Sequence, residues 1–185
     1  VTGGTGTLGR ALVARFAADD AAVVVLTRGQ TSADVLPVCP SVTRLRGDVR
    51  VGGSLGVTRA ERGELTATVT DVVHCAAETT FNRPLDEART VNVEGTRAIL
   101  EFARDCPRLE RVACFSTVYV AGRATGCFGE CDIGGEDGFV NSYEQSKAEM
   151  EAVVRDAMPD LPIALYRLST IIGESRTGCV SGFNA

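Results

Sequence analysis

The sequence predicts an α/β fold organised around a doubly wound parallel sheet, and three observations carry that expectation. Strand-like and helix-like segments alternate along all 185 residues. The strand-like runs are apolar along their length, as in a parallel sheet covered by helices on both faces. A glycine-rich turn joins the first strand to the first helix, as dinucleotide-binding βαβ units require.

Val1-Thr2 reads as the end of a first strand and Gly3-Gly4-Thr5-Gly6-Thr7-Leu8-Gly9 as the turn after it. In the Gly-x-x-Gly-x-x-Gly spacing, Gly3 permits the tight turn. Gly6 lets the backbone approach a pyrophosphate, and Gly9 lets the helix pack close to the strand. The free N–H groups of the helix start then face the phosphates. Gly3, Thr5, Gly6, Thr7, Leu8, Gly9 and Arg10 are therefore the expected cofactor contacts at this end of a Rossmann-type sheet. Leu8, Ala11, Leu12 and Phe16 recur at helical spacing, which predicts a helix over Leu8–Asp19. Strands are expected at Ala22–Thr27, Val42–Arg46, Asp71–Cys75, Arg111–Ser116 and Ile163–Leu168. Further helices are expected around Leu55–Leu65, at Leu85–Asp105 and at Ser142–Met158. The glycine-rich, acidic segment 120–141 reads as a long loop forming a mobile rim over a site.

On the helix from Leu85, one stripe carries Ala88, Asn92, Gly95, Ile99, Phe102 and Cys106. An amide on a sheet-facing stripe must find partners or cost about 1–3 kcal/mol. Glycine inside a helix costs about 1 kcal/mol against alanine. Both make sense if something polar approaches there; a helix kinked at Gly95 with a satisfied asparagine is the competing reading.

A net charge of −5 without a basic cluster argues against a nucleic-acid partner. No apolar run reaches membrane-spanning length, and these residues hold no signal peptide, although a missing N-terminus could have carried one. The seven cysteines are odd in number. Cys75 and Cys114 lie in apolar runs, and Cys127-x-x-x-Cys131 lacks a second pair at zinc spacing. No metal site is expected, and a reducing cytoplasm fits best. The chain opens inside a strand without an initiator methionine and stops soon after its last predicted strand, so the expectation is a single domain over residues 1–185, truncated at both ends, as a fragment of a longer or multidomain protein or a chain with unrecorded ends.

Lys147 is the only lysine; the other basic residues among the 19 are arginine. Arginine holds its proton essentially always, whereas a lysine ammonium is compact and its pKa can be moved. Lys147 stands one helical turn after Tyr143, where it could lower the phenol's pKa. A chance neighbour on a solvated helix is the bland alternative.

Taken together, Thr2-Gly-x-x-Gly-x-x-Gly9, Gly47-Asp48-Val49, His74-Cys-Ala-Ala77, Asn92-Val-x-Gly-Thr96, Ser116-Thr117-x-Tyr-Val120 and Tyr143-x-x-Ser-Lys147 resemble the extended short-chain dehydrogenases/reductases, the epimerase/dehydratase-like group. Within that family, Ser54-Leu-Gly-Val57, His74-Cys-Ala-Ala-Glu-Thr-Thr-Phe-Asn82, Asn141-Ser-Tyr-Glu-Gln-Ser-Lys147 and Gly173-Glu-Ser-Arg-Thr-Gly178 look like the male-sterility-type branch of fatty acyl and thioester reductases. The resemblance implies a Rossmann-type domain whose C-terminal substrate-binding part this chain mostly lacks. It implies Tyr143 as acid or base, Lys147 as its electrostatic partner, Thr117 as the hydroxyl that orients the carbonyl, and Asn92 as polar support. It also implies cofactor contacts from Asp48, Val49, Ala76, Ala77, Asn92, Tyr143, Lys147 and Leu168. A phenol with an ordinary pKa near 10 donates well only when tuned toward neutrality, so the physical reading agrees. His74 ends a buried strand and reads as structural rather than as a general base.

NAD-selective sites place an acid about 20 residues past the glycines to hold the ribose 2′-OH. Here Thr27-Arg28 stands in that place, with Arg10 near. A guanidinium suits a 2′-phosphate, so NADP(H) is expected over NAD(H); a solvated arginine at a strand end is the alternative. The expected function is an NADPH-dependent oxidoreductase acting on a small-molecule or carrier-linked acyl thioester, or the aldehyde from it. A nucleotide-sugar epimerase/dehydratase or 3-hydroxysteroid-type dehydrogenase is a second reading, and a non-catalytic NADP-sensing module a third.

Overall fold

The computed structural model describes residues 1–29, 36–173, 175, 177 and 178. Its strands are β1 (Val23–Thr27), β2 (Val42–Arg46), β3 (Asp71–His74), β4 (Arg111–Thr117) and β5 (Ile163–Leu168). Its α-helices are α1 (Thr7–Ala18), α2 (Arg59–Thr68), α3 (Leu85–Arg89), α4 (Gly95–Arg104) and α5 (Ser142–Ala157). β1 pairs with β2, β3 with β4, and β4 with β5, all parallel. Thr2 bridges both Leu26 and His74. Its N–H donates to Val73 O at 2.9 Å and its carbonyl accepts from Cys75 N at 3.1 Å. The opening residues thus join the two groups of strands into one sheet. The order is β2, β1, the Thr2 segment, β3, β4, β5, and it reverses at the glycine turn. In open α/β sheets ligands bind at that switch point, beyond the C-terminal strand ends.

Two apolar cores flank the sheet. Val13 of α1 meets Val23 and Val25 on one side. A larger cluster packs Ile99, Leu100 and Phe102 of α4 and Met150 and Val154 of α5 around Val72, Val112 and Cys114. Every residue of the predicted stripe from Ala88 to Cys106 is buried, as a sheet-facing surface requires.

Three expectations need correction. The helix placed around Leu55–Leu65 is instead a 3₁₀ turn over Val49–Ser54, a break, and then α2. Gly52, Leu55 and Gly56 all take positive φ, which no α-helix can contain. α2 starts where Thr58 and Glu61 form a reciprocal capping box. The Leu85 helix is continuous but carries a π turn over Thr90–Glu94, with Gly95 at helical φ and ψ and no kink there. What demands Gly95 is an apolar neighbour: a Cβ on it would lie 2.9 Å from Val49 Cγ2. Finally, segment 120–141 is no rim over the site, because none of its residues lines the cavities described below. It is fastened away from them by Arg167, which donates to Gly129 O at 2.8 Å and Asp132 O at 2.6 Å. Arg167 also pairs with Glu151 of α5 at 2.8 Å and stacks over Phe128.

Candidate active site

Two adjoining cavities open at the switch point and share Gly3, Gly6, Cys75 and Ala77 in their walls. One, of about 210 Å³, runs over β1 and β2 and is lined by Thr5, Thr27, Arg28, Asp48, Val49, Arg50 and Ala76 among others. The other, of about 460 Å³, runs over β4 and β5 and is lined by Thr7, Leu8, Gly9, Phe81, Ser116, Thr117, Tyr119, Tyr143, Lys147 and Leu168 among others. The glycine turn is the ridge between them.

The glycines divide by purpose. Gly3 has φ +67°, and a Cβ there would collide with the Ala76 backbone. A Cβ on Gly9 would run into Gly3 and Gly4, and one on Gly4 into Val25. Gly6 differs: its Cβ would meet only Gly3 O, at 3.4 Å, and otherwise open cavity. Nothing inside the protein requires glycine at Gly6, so the space is reserved for a ligand. Ser116 is a second lead: the residue lies in the wall of the larger cavity, and its buried Oγ has no hydrogen-bond partner among the described residues. Such orphans are rare in folded proteins unless a ligand or water completes them. A dinucleotide fits both features.

The His74 ring fixes the strand end beneath the glycine turn. Thr96 Oγ donates to Asn92 O at 2.6 Å, so it accepts from His74 Nε2–H at 3.1 Å. His74 Nδ1 is then unprotonated and accepts from Thr2 Oγ at 2.7 Å. Thr2 Oγ in turn accepts from Ala76 N at 3.4 Å. Burial, and secondly the Lys147 ammonium, push the His74 pKa down to about 3. This is a neutral structural histidine with both nitrogens occupied.

The start of α5 is equally constrained. Asn141 Oδ1 accepts from Glu144 N at 2.9 Å, while Glu144 accepts from Asn141 Nδ2 at 3.0 Å and Val140 N at 2.9 Å. Ser142 Oγ reaches Arg83 O at 2.6 Å, which brings the Phe81 loop against the helix. The rings of Phe81 and Tyr143 lie 5.7 Å apart. Asn92 lies behind this turn and lines neither cavity. Its Oδ1 accepts from Glu78 N at 2.8 Å, and its Nδ2 donates to Glu78 O at 3.0 Å and Ser146 Oγ at 2.9 Å. Ser146 Oγ donates to Tyr143 O at 3.0 Å. Asn92 therefore positions the Tyr143 turn through Ser146.

Lys147 is buried and donates to Phe115 O at 2.6 Å. Burial draws its pKa down from 10.5 to about 8, against the pull of Cys114, Glu151 and Cys75. Burial raises the Tyr143 phenol above its ordinary value; the Thr117 hydroxyl beside it pulls it back and the nearby Tyr119 adds to the rise. The expected lowering of this phenol by Lys147 is not produced by the chain's own groups: the ammonium is turned to the Phe115 carbonyl.

Among the predicted contacts, Arg10 lines neither cavity. Asp48 does, but Arg50 takes its carboxylate, donating from Nε to Oδ1 at 3.1 Å and Oδ2 at 3.0 Å, and from NH2 to Oδ2 at 2.6 Å. The Arg50 N–H adds a bond to Oδ1 at 2.9 Å. Arg50 first, and then Arg28, hold the Asp48 carboxyl below its usual range. Sequence reasoning missed Arg50, and also Phe81, Tyr119 and Cys75 as lining residues. The only sequence signal for Arg50 is its place two residues after Asp48. The Gly173–Gly178 stretch falls partly on Glu174 and Arg176, outside the described residues. Six cysteines are free thiols, Cys179 lies outside the described residues, and no group of metal-ligating side chains occurs among the described ones. No helix of the described residues is long and apolar enough to cross a membrane.

A parallel sheet with a glycine turn at its switch point, and a threonine, tyrosine and lysine gathered beyond β4, define an NAD(P)-binding domain of the extended short-chain dehydrogenase/reductase class. The chain belongs to the male sterility protein family, whose pattern matches residues 40–185. The Drosophila melanogaster fatty acyl-CoA reductase wat is 26% identical over 160 residues, covering 73% of this chain and 31% of that protein. The terminal R domain from the myxalamid PKS-NRPS biosynthetic pathway superposes with a TM-score of 0.84 at 30% identity, covering 97% of this chain and 51% of that one. The Bordetella bronchiseptica enzyme WbmG, in complex with NAD and UDP, superposes with a TM-score of 0.73 at 26% identity, covering 93% of this chain and 53% of that one. The chain thus spans about half the length of these solved structures.

Proposed function

We propose that this chain is the cofactor-binding half of an NADPH-dependent reductase that acts on an acyl thioester, carried by a thiol cofactor or a carrier domain, or on the derived aldehyde. The observation that carries the reading is the convergence of Thr117, Tyr143 and Lys147 on one cavity that continues from the glycine turn. The likeness to a fatty acyl-CoA reductase and to the R domain of a PKS-NRPS pathway supports the substrate class. Arg28, in the cavity over β1 and β2 where an acid would favour NAD, supports NADPH. A reducing cytoplasm suits the free thiols of Cys75 and Cys114 beside Lys147.

When bound, the nicotinamide cofactor supplies the hydride. Thr117 and Tyr143 donate hydrogen bonds to the substrate carbonyl oxygen, and as the carbon–hydrogen bond forms, Tyr143 passes its proton to that oxygen. From a thioester this yields a hemithioacetal, whose carbon–sulfur bond breaks to release thiol and aldehyde. The acyl carbon gains two electrons and the cofactor loses two. Lys147, compact and buried, would hold the ribose hydroxyls through its remaining donors and stabilise the phenolate by its positive charge. Asn92 and Ser146 hold the Tyr143 turn in place.

The test is the full-length protein with NADPH and an acyl thioester. One free thiol and one aldehyde per NADPH consumed is the expected result. Turnover of a nucleotide sugar with no net NADPH consumption would sink the reading.

A further inference from the structure

We infer that Arg50, presented by Asp48, is a second cofactor-selecting cation, which with Arg28 forms a two-arginine grip on a 2′-phosphomonoester. The inference rests on the NADPH reading and names how the chain would achieve it.

Asp48 would ordinarily count against a phosphate here, since a carboxylate lining the cavity repels an anion and invites the hydroxyls of NAD. In this chain its two oxygens are consumed. Oδ1 receives Arg50 N and Nε, and Oδ2 receives Nε and NH2. A carboxylate offers about four lone-pair sites, and three N–H groups of Arg50 occupy this one, with Nε–H shared between both oxygens. What the cavity meets at this corner is therefore a guanidinium held in a fixed orientation, with Nη1 carrying no bond to Asp48. Arg28, at the end of β1, lines the same cavity. Two guanidinium charges against one carboxylate leave the corner with a net charge of +1. With Arg50 removed, Asp48 would be released and would oppose Arg28.

Arg50 also suits the geometry of the turn. It follows Val49, whose side chain is buried against Gly95, so the backbone carrying the arginine is anchored by the core. The Arg50 side chain itself is 45% exposed, so its charge is partly screened. The expected effects are accordingly modest.

The experiment is equilibrium titration of the full-length protein with NADPH and NADH, followed by the cofactor's own fluorescence. The unmutated chain should prefer NADPH. Arg50→Ala should weaken NADPH by about five- to tenfold and leave NADH within about twofold, with Arg28→Ala similar and the pair together erasing the preference. Arg50→Lys, which keeps charge without the fork, should fall between. Raising salt should reduce the preference in the unmutated chain and much less in the double variant. Equal affinities in the unmutated chain would overturn the NADPH reading and this inference with it. A preserved preference in Arg50→Ala, or equal weakening of both cofactors, would overturn the inference alone and leave Arg28 as the selecting residue. Circular dichroism of each variant separates these outcomes from misfolding, and Arg50→Gln, uncharged and shorter but with an amide donor at about the place of Nε, repeats the test in a folded protein should Arg50→Ala be lost.

Discussion

Replacing Lys147 by methionine should stabilise the fold while removing activity. The ammonium is buried, and burial draws its pKa from 10.5 to about 8. That difference is a penalty of about 3 kcal/mol on the charged form in the folded state. Methionine removes the penalty but forfeits the bond from Nζ to Phe115 O at 2.6 Å, a charged hydrogen bond of about 1.5 kcal/mol. The net gain at pH 7 is about 1–2 kcal/mol, or roughly 3–6 °C in melting temperature for a domain of this size. The sign follows from the folded pKa lying below the unfolded one. The unfolded chain binds the proton more tightly, so the penalty is complete below about pH 8, shrinks between about 8 and 10.5, and vanishes above. The advantage of methionine should therefore be largest at pH 7 and much reduced at pH 10, which a simple gain in apolar packing would not do. Thermal denaturation of both proteins at the two pH values measures it. A Lys147→Met protein that melts at or below the unmutated one at pH 7, or whose gain is the same at pH 10, would refute the view that this lysine is kept at the expense of stability.

Asn92→Leu should destabilise by about 3 kcal/mol in chemical denaturation, because Glu78 N–H, Glu78 C=O and Ser146 Oγ all lose their buried partner. His74 is neutral when folded, with a pKa near 3 against 6.5 unfolded, so stability should fall as pH drops from about 6.5 toward 3; a His74→Gln variant should lack that part of the pH profile. Gly95→Ala should lower the melting temperature despite alanine's better helix propensity, since the new methyl sits 2.9 Å from Val49 Cγ2.

The sheet was legible because each strand is a short apolar run bounded by breakers, and all five predicted strands fall within a residue of those observed. The predicted start of α5 at Ser142 matches the observed one, and Asn141, accepting from Glu144 N, is the residue that caps it. Features that depend on contacts between elements were not legible. Nothing near Gly95 in sequence announces Val49, and the spacing of Tyr143 and Lys147 cannot say that the ammonium turns to Phe115. Asn92 is legible as an amide needing partners, but only the structure shows that Glu78 and Ser146 supply them. The helix after β2 failed because its apolar spacing ignored the backbone demands of Gly52, Leu55 and Gly56. Segment 120–141 was read from composition alone, which carries no information on where Arg167 fastens it.

The most direct test of the proposed chemistry is Tyr143→Phe in the full-length protein, with turnover of an acyl thioester and NADPH affinity measured on the same sample. The phenol oxygen is the one atom removed, and the ring can still pack against Phe81. Turnover should fall by about 10²–10⁴-fold, as loss of a general acid does, while NADPH affinity changes by less than about threefold. Near-normal turnover in a folded, cofactor-binding Tyr143→Phe protein would contradict the assignment of Tyr143 as proton donor.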